Sequence, residues 1–179
     1  ASGVTVAASS NVRFDRCQLV GGGALTGTGS TLYVYKGTFD QNVDFTGCTW
    51  TFQRSTVVGS IASSNSVAKC IASVANSFTH TLGELTVFQS VVTESTQVSL
   101  SASQKSWICY NTLRYLQIGG GSSEVVGNVI NGRGRNGTFV RVSTGAATNI
   151  RNNRIFDDGR NITNNGGTAL QVDPDAGLT

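Results

Sequence analysis

The sequence has no Met, one Pro (Pro174) and one His (His80). Without Pro-rich, charged or monotonous stretches there is nothing to mark a linker, so residues 1–179 are expected to form a single domain. The four cysteines, at 17, 48, 70 and 109, include no C-x-x-C pair. A zinc site needs close pairs of Cys or His, so structural zinc is excluded and no cofactor is expected. A chain of this length can build a core without cross-links, which favours buried free thiols over a disulfide framework. Charge is sparse, 13% of residues with a net +3, while 39% are hydrophobic, a balance that excludes charge-driven disorder. No apolar run approaches the roughly 20 residues of a membrane span, and residues 1–10 lack the basic and apolar regions of a signal peptide. Starting on Ala1 and ending on a loop-like Asp173-Pro174-Asp175-Ala176-Gly177, the chain reads as a processed protein or a segment of a longer one.

What is abundant is small and turn-forming: Gly, Ser, Thr and Asn make up 77 of the 179 residues. Apolar residues rarely recur at helical spacing, and β-branched residues crowd every apolar stretch. Period-two alternation is clear at Val12-Arg13-Phe14, Leu32-Tyr33-Val34, Val43-Asp44-Phe45, Val98-Ser99-Leu100, Val140-Arg141-Val142 and Leu170-Gln171-Val172. These are short strands of an all-β chain.

The strands repeat. One unit runs Gly29-Ser30-Thr31-Leu32-Tyr33-Val34, Gly137-Thr138-Phe139-Val140-Arg141-Val142 and Gly167-Thr168-Ala169-Leu170-Gln171-Val172. A second begins with Cys or Asn and ends two residues later in a bulky apolar residue, as in Cys17-Gln18-Leu19, Cys48-Thr49-Trp50, Asn76-Ser77-Phe78, Asn111-Thr112-Leu113, Asn128-Val129-Ile130 and Asn153-Arg154-Ile155. Alternating units at unequal spacing describe coils wound about a common core. Stacked parallel strands lie about 4.8 Å apart, so inward positions form columns of apolar residues. Corners need positive φ and side chains that satisfy backbone groups, which favours Asn, Gly and Ser, and an Asn repeated at one corner can form an internal ladder. The register of residues 55–95 stays unassigned.

These repeats resemble the right-handed parallel β-helix of the pectate-lyase-like superfamily, most clearly from Leu100 to Val172 and in part from Val12 to Trp50. The resemblance implies a solenoid of about seven irregular rungs at roughly 24 residues each. It also implies work on polysaccharides, since the superfamily includes pectate and pectin lyases, polygalacturonases, alginate epimerases and phage tailspikes. Its acidic calcium cluster has no counterpart here, so no catalytic residue is carried over.

Candidate residues follow from chemistry. Glycoside cleavage uses paired carboxylates, and Asp157-Asp158 is the only adjacent pair, with Arg154 nearby as a cation; an Asx-rich turn is the plainer reading. Asp44 is expected near Arg13 in a surface ion pair. Eight Lys or Arg against three carboxylates between Lys105 and Arg160 would attract an anionic polymer, with Arg133 and Arg135 among them. Nucleic acid is disfavoured, because no aromatic interleaves those arginines. Tyr33 and Tyr35 alternate with Leu32 and Val34 and with Lys36 form the expected exposed binding strip; Trp50, Trp107, Tyr110 and Tyr115 are further stacking candidates, Trp50 being the one expected in the core. Cys17 and Cys48 are expected to share a corner column, and His80 to sit on the surface.

The chain therefore reads as a polysaccharide-recognition domain of a phage tailspike or similar surface protein. It would be extracellular or on a virion, and joined to adjoining domains or assembled as a homo-oligomer such as a trimer. A polysaccharide lyase or glycoside hydrolase, and a non-catalytic structural module, are the alternatives.

Overall fold

The computed structural model describes residues 3–132, 138–143 and 145–156, together with the backbone of strands Thr168–Val172 and Gly177–Leu178. All regular structure among them is β. Every strand pairing is parallel, and the strands stack into three sheets that form a β-solenoid of about seven turns.

The first sheet stacks Val4–Val6, Leu25–Thr28, Val43–Thr46, residues 61–64, residues 78–81, Thr96–Ser99, Leu116–Gly119, Thr138–Val142 and Thr168–Val172. The second stacks Asn11–Asp15, Thr31–Tyr35, Thr49–Gln53, residues 67–71, residues 85–88, Lys105–Cys109, Ser122–Val126, Ala147–Arg151 and Gly177–Leu178. The third is narrow, running from Gln18–Leu19 through Thr38–Phe39, Val91–Val92, Thr112–Leu113 and Val129–Asn131 to Arg154–Phe156.

The stretch that resisted a register explains itself. Thr56–Ile71 and Val74–Phe88 each run as one long strand through all three sheets. Their corners between the first and second sheets fall at Asn65 and at Leu82-Gly83, but Ser and Asn spread through residues 60–66 and 73–77 do not single out the turn residue from its neighbours.

Alternation places the core inside the coil. Leu32, Val34, Phe45, Trp50, Phe52, Phe78, Leu85, Ile108, Leu116, Ile118 and Val125 are buried. Aromatics dominate the N-terminal half, where Trp50 meets Phe52 edge-on at 5.5 Å between ring centroids and its indole N–H donates to Ser63 Oγ at 3.0 Å. Aliphatics fill the other half, with a buried Ser106–Ser123 hydroxyl pair at 2.7 Å.

One corner column joins the second sheet to the third. Asn111 N–H donates to Asn128 Oδ1 at 2.8 Å and Asn128 N–H to Asn153 Oδ1 at 2.8 Å. Serine continues the column, with Ser90 N–H donating to Asn111 Oδ1, Ser73 N–H to Ser90 Oγ, Ser55 N–H to Ser73 Oγ and Gly37 N–H to Ser55 Oγ. From Gly37 onward these partners are 18, 18, 17, 21, 17 and 25 positions apart, so most turns are shorter than the expected 24.

The variable turn length undoes several expectations. Cys17 O accepts from Thr38 N and belongs to this column, whereas Cys48 O accepts from Val67 N at the corner between the first and second sheets. The two thiols share no column, and all four cysteines are free. The first repeat unit likewise splits, Thr31–Tyr35 lying in the second sheet and Thr138–Val142 and Thr168–Val172 in the first. Asp44 lies beside Thr26 and Ala62 in the first sheet, far in register from Arg13, which pairs with Asp15 at 3.5 Å. His80 is inward and fully buried, because it falls on the same parity as Phe78 in its strand.

Candidate functional site

The outer surface of the second sheet gathers most of the exposed aromatic and cationic side chains described. Leu32 and Val34 point into the core, so Tyr33 and Tyr35 point outward, half-buried. Tyr33 O–H donates to Gln53 Oε1 at 2.6 Å one turn on. Arg13 lies over the Tyr33 ring at 5.1 Å and Lys36 over the Tyr35 ring at 5.2 Å. The rings hold these cations against the surface by attraction to their π faces.

Further along the same sheet, Trp107 (38% exposed) and Tyr110 (59%) stand out from the surface, and Phe88 meets Tyr110 edge-on at 5.7 Å. Register puts Trp107 beside Glu124, and Glu124 beside Asn149. Asn149 Nδ2 donates to both Glu124 oxygens at 3.0 and 3.3 Å, and Arg151 lies 3.6 Å away. Lys105, Ser106, Trp107, Ser122 and Glu124 line an open groove of about 140 Å³. A planar apolar ring flanked by carboxylate, amide, hydroxyl and ammonium groups offers a sugar both a stacking face and hydrogen-bond partners.

The corner beside this surface turns through a left-handed residue on each described rung: Arg16, Lys36, Arg54, Ala72, Gln89, Tyr110, Gly127 and Asn152, with φ between 48 and 65°. Side chains other than Gly or Asn pay about 1 kcal/mol or more to adopt this conformation. The corner between the first and second sheets makes the same turn with Ser9, Gly29, Gly47, Asn65 and Leu82. Long basic residues on three successive rungs are thus peculiar to one corner. The repeat Arg16-Cys17-Gln18-Leu19, Lys36-Gly37-Thr38-Phe39, Arg54-Ser55-Thr56-Val57 was visible in the sequence once Ser and Gly are admitted beside Cys and Asn as corner residues.

The other candidates lie elsewhere. Trp50 is in the core, and Tyr115 is buried with its O–H on Gln117 Oε1 at 2.9 Å. Arg154 is on the third sheet, its guanidinium 4.6 Å from the Phe156 ring. Arg133, Arg135, Asp157 and Asp158 lie outside the described residues. Asp15 has Tyr35 in register beside it and Asp44 has Thr26 and Ala62, so neither they nor Glu124 has a second carboxylate as an in-register neighbour. Among the described residues no group of three His, Cys, Asp or Glu is arranged to hold a metal. Burial pushes the Cys70 thiol up to about 11 and raises those of Cys17 and Cys109, the opposite of an activated nucleophile.

The fold and this surface define a parallel β-solenoid with an aromatic and basic lateral strip. Comparison with family models, curated proteins and solved structures finds no match.

Proposed function

We propose that this chain is a polysaccharide-recognition module of the tailspike kind, part of a surface or virion protein, holding its polymer along the outer face of the second sheet. The observation that carries the reading is Trp107 standing exposed over a groove with Glu124, Lys105 and Ser122, with Tyr110 on the next corner. The Tyr35 and Tyr110 turns are four rungs apart, about 19 Å at the usual strand spacing, so one polymer of several sugar rings reaches both ends of the strip. Binding is favoured over cleavage because the described carboxylates on this face stand singly. Pectate-lyase-like kinship and assembly into oligomers belong to the same proposal and rest on the repeat.

The test is a glycan array followed by titration of the best polymer with wild type and with the Trp107→Ala/Tyr110→Ala variant. Both side chains are exposed, so the fold is retained, and loss of a central stacking ring weakens binding by about 2 kcal/mol, roughly thirtyfold. Shortened polymer in the same mixtures would replace this reading with an enzyme. Absence of binding across the array would leave a structural rod, which the corner ladder alone would support.

A further inference from the structure

Five cations occupy the first four turns of the second sheet and its corner: Arg13, Arg16, Lys36, Arg54 and Lys69, all exposed. Arg13, Tyr33, Thr51 and Lys69 form one outward column by register. Arg16, Lys36 and Arg54 form the corner column next to it, chained through Arg16 N–H to Tyr35 O, Lys36 N–H to Gln53 O and Arg54 N–H to Ile71 O. The carboxylate at this edge is Asp15, held by Arg13 at 3.5 Å. Among the described residues no carboxylate is within ion-pair distance of Arg16, Lys36, Arg54 or Lys69.

Ordinary surface charge does not account for the corner column. Its three residues sit at φ of 49, 53 and 52°, a conformation that the same column also gives to Ala72, Gln89 and Tyr110 before it reaches Gly127 and Asn152. What sets these three rungs apart is a long cationic side chain on each, stacked at one corner with no carboxylate among the described residues to pair with. The rungs stack at about 4.8 Å, so three positive charges line the corner over about 10 Å, parallel to the solenoid axis.

We infer that Arg16, Lys36 and Arg54 form a charge-reading edge, and that the polymer taken by the second sheet is an acidic polysaccharide whose carboxylates lie along this corner. The inference rests on the polysaccharide reading above and adds the chemical class. Arg presents a planar fork to a carboxylate, and Lys36 is steadied by the Tyr35 ring at 5.2 Å. Nucleic acid fits less well, because the rings among these cations, Tyr33 and Tyr35, are half-buried with Arg13 and Lys36 lying over them, and the exposed Trp107 and Tyr110 rings are turns away.

The fold supplies a clean variant. Arg16→Gly/Lys36→Gly/Arg54→Gly removes the charges and relaxes all three left-handed residues, so its melting temperature is expected to equal or exceed that of wild type. Wild type and variant are titrated with hyaluronate, alginate and polysialate, each beside its carboxyl-reduced form, and with single-stranded DNA, at two salt concentrations. Wild type is expected to bind at least one acidic polymer tenfold or more tighter than its reduced form, with affinity falling as salt rises. The Gly variant is expected to lose that preference and bind the acidic and reduced forms alike. Equal affinities of wild type and variant for the acidic polymer would overturn the edge. Wild type binding both forms alike, with Trp107→Ala/Tyr110→Ala losing both, would overturn this inference and leave the polysaccharide reading standing. Binding of neither form overturns both. Stripe-dependent binding of DNA above every polysaccharide would replace the acidic polymer by a nucleic acid.

Discussion

Asn128 gives both its backbone N–H and its side-chain Nδ2 to the single Oδ1 of Asn153, at 2.8 and 2.9 Å. Its Nδ2 also donates to Ile108 O at 2.7 Å, and its own Oδ1 accepts from Asn111 in the same way. One amide thereby satisfies backbone groups on neighbouring rungs at a corner that water does not reach.

Replacing Asn128 by Ala leaves the Asn111 N–H and the Ile108 carbonyl without this partner in a buried place, while Asn153 Oδ1 keeps the backbone N–H of residue 128. Each buried unsatisfied group costs about 1–3 kcal/mol, so Asn128→Ala is expected to lose about 3 kcal/mol or more in urea unfolding. Asn128→Ser, the residue that Ser55, Ser73 and Ser90 supply in the same column, is expected to lose less. A Cm for Asn128→Ala within error of wild type would refute the ladder as a stabilising element.

His80 is fully buried with Ser63 and Val98 as its in-register neighbours, and the Gly83 backbone only partly offsets its loss of water. Desolvation pushes its pKa down to about 4 from the ordinary 6.5. The unfolded chain therefore binds the extra proton between those values. The associated stability is complete above about pH 6.5, falls as pH drops, and is gone near pH 4, a loss of roughly 3 kcal/mol. Comparing wild type with His80→Leu isolates this from carboxylate titration. Identical pH profiles for the two proteins would rule the histidine out.

Gly83 sits at φ +100°, and a Cβ there would be driven against the carbonyl oxygen of Ser66. Ala at this position meets both a forbidden backbone region and another backbone, which cannot give way as a side chain would. Gly83→Ala is expected to destabilise the solenoid by about 3 kcal/mol or to prevent its folding. Gly29→Ala, with φ +57° and open space around the added carbon, should cost only about 1 kcal/mol. Thermal melts of the two variants separate the two causes, and equal losses would contradict the steric argument.

Cys70 is buried with its pKa raised to about 11, its sulfur 3.8 Å from Ser90 Oγ. Thiolate is the reactive form, so an aromatic disulfide reagent at pH 8 should leave Cys70 untouched in the native protein and modify it on unfolding. Cys17 and Cys109, both partly exposed, should react slowly. Rapid native labelling of Cys70 would mean that the middle turns open far more often than their packing implies.

Period-two alternation is a local property, so Leu32 and Val34 inward with Tyr33 and Tyr35 outward were legible from four consecutive residues. So were the all-β character and the ladder formed by Asn111, Asn128 and Asn153. Their amides recur before a bulky residue, and a corner needs groups of that kind. The relation between turns is not local. It depends on how many residues each turn spends, and that number runs from 17 to 25 along one corner column. A single-residue change in turn length moves every later side chain to a new neighbour, which is why Cys48 left the column of Cys17 and Asp44 the reach of Arg13. The same accumulated register brought Glu124 beside Trp107 and set Arg16, Lys36 and Arg54 on successive rungs. Spacing along the chain could not announce the meeting of Trp107 with Glu124, which come together only after the coil has closed around its core, whereas the basic repeat at 16, 36 and 54 was legible and only its corner was not.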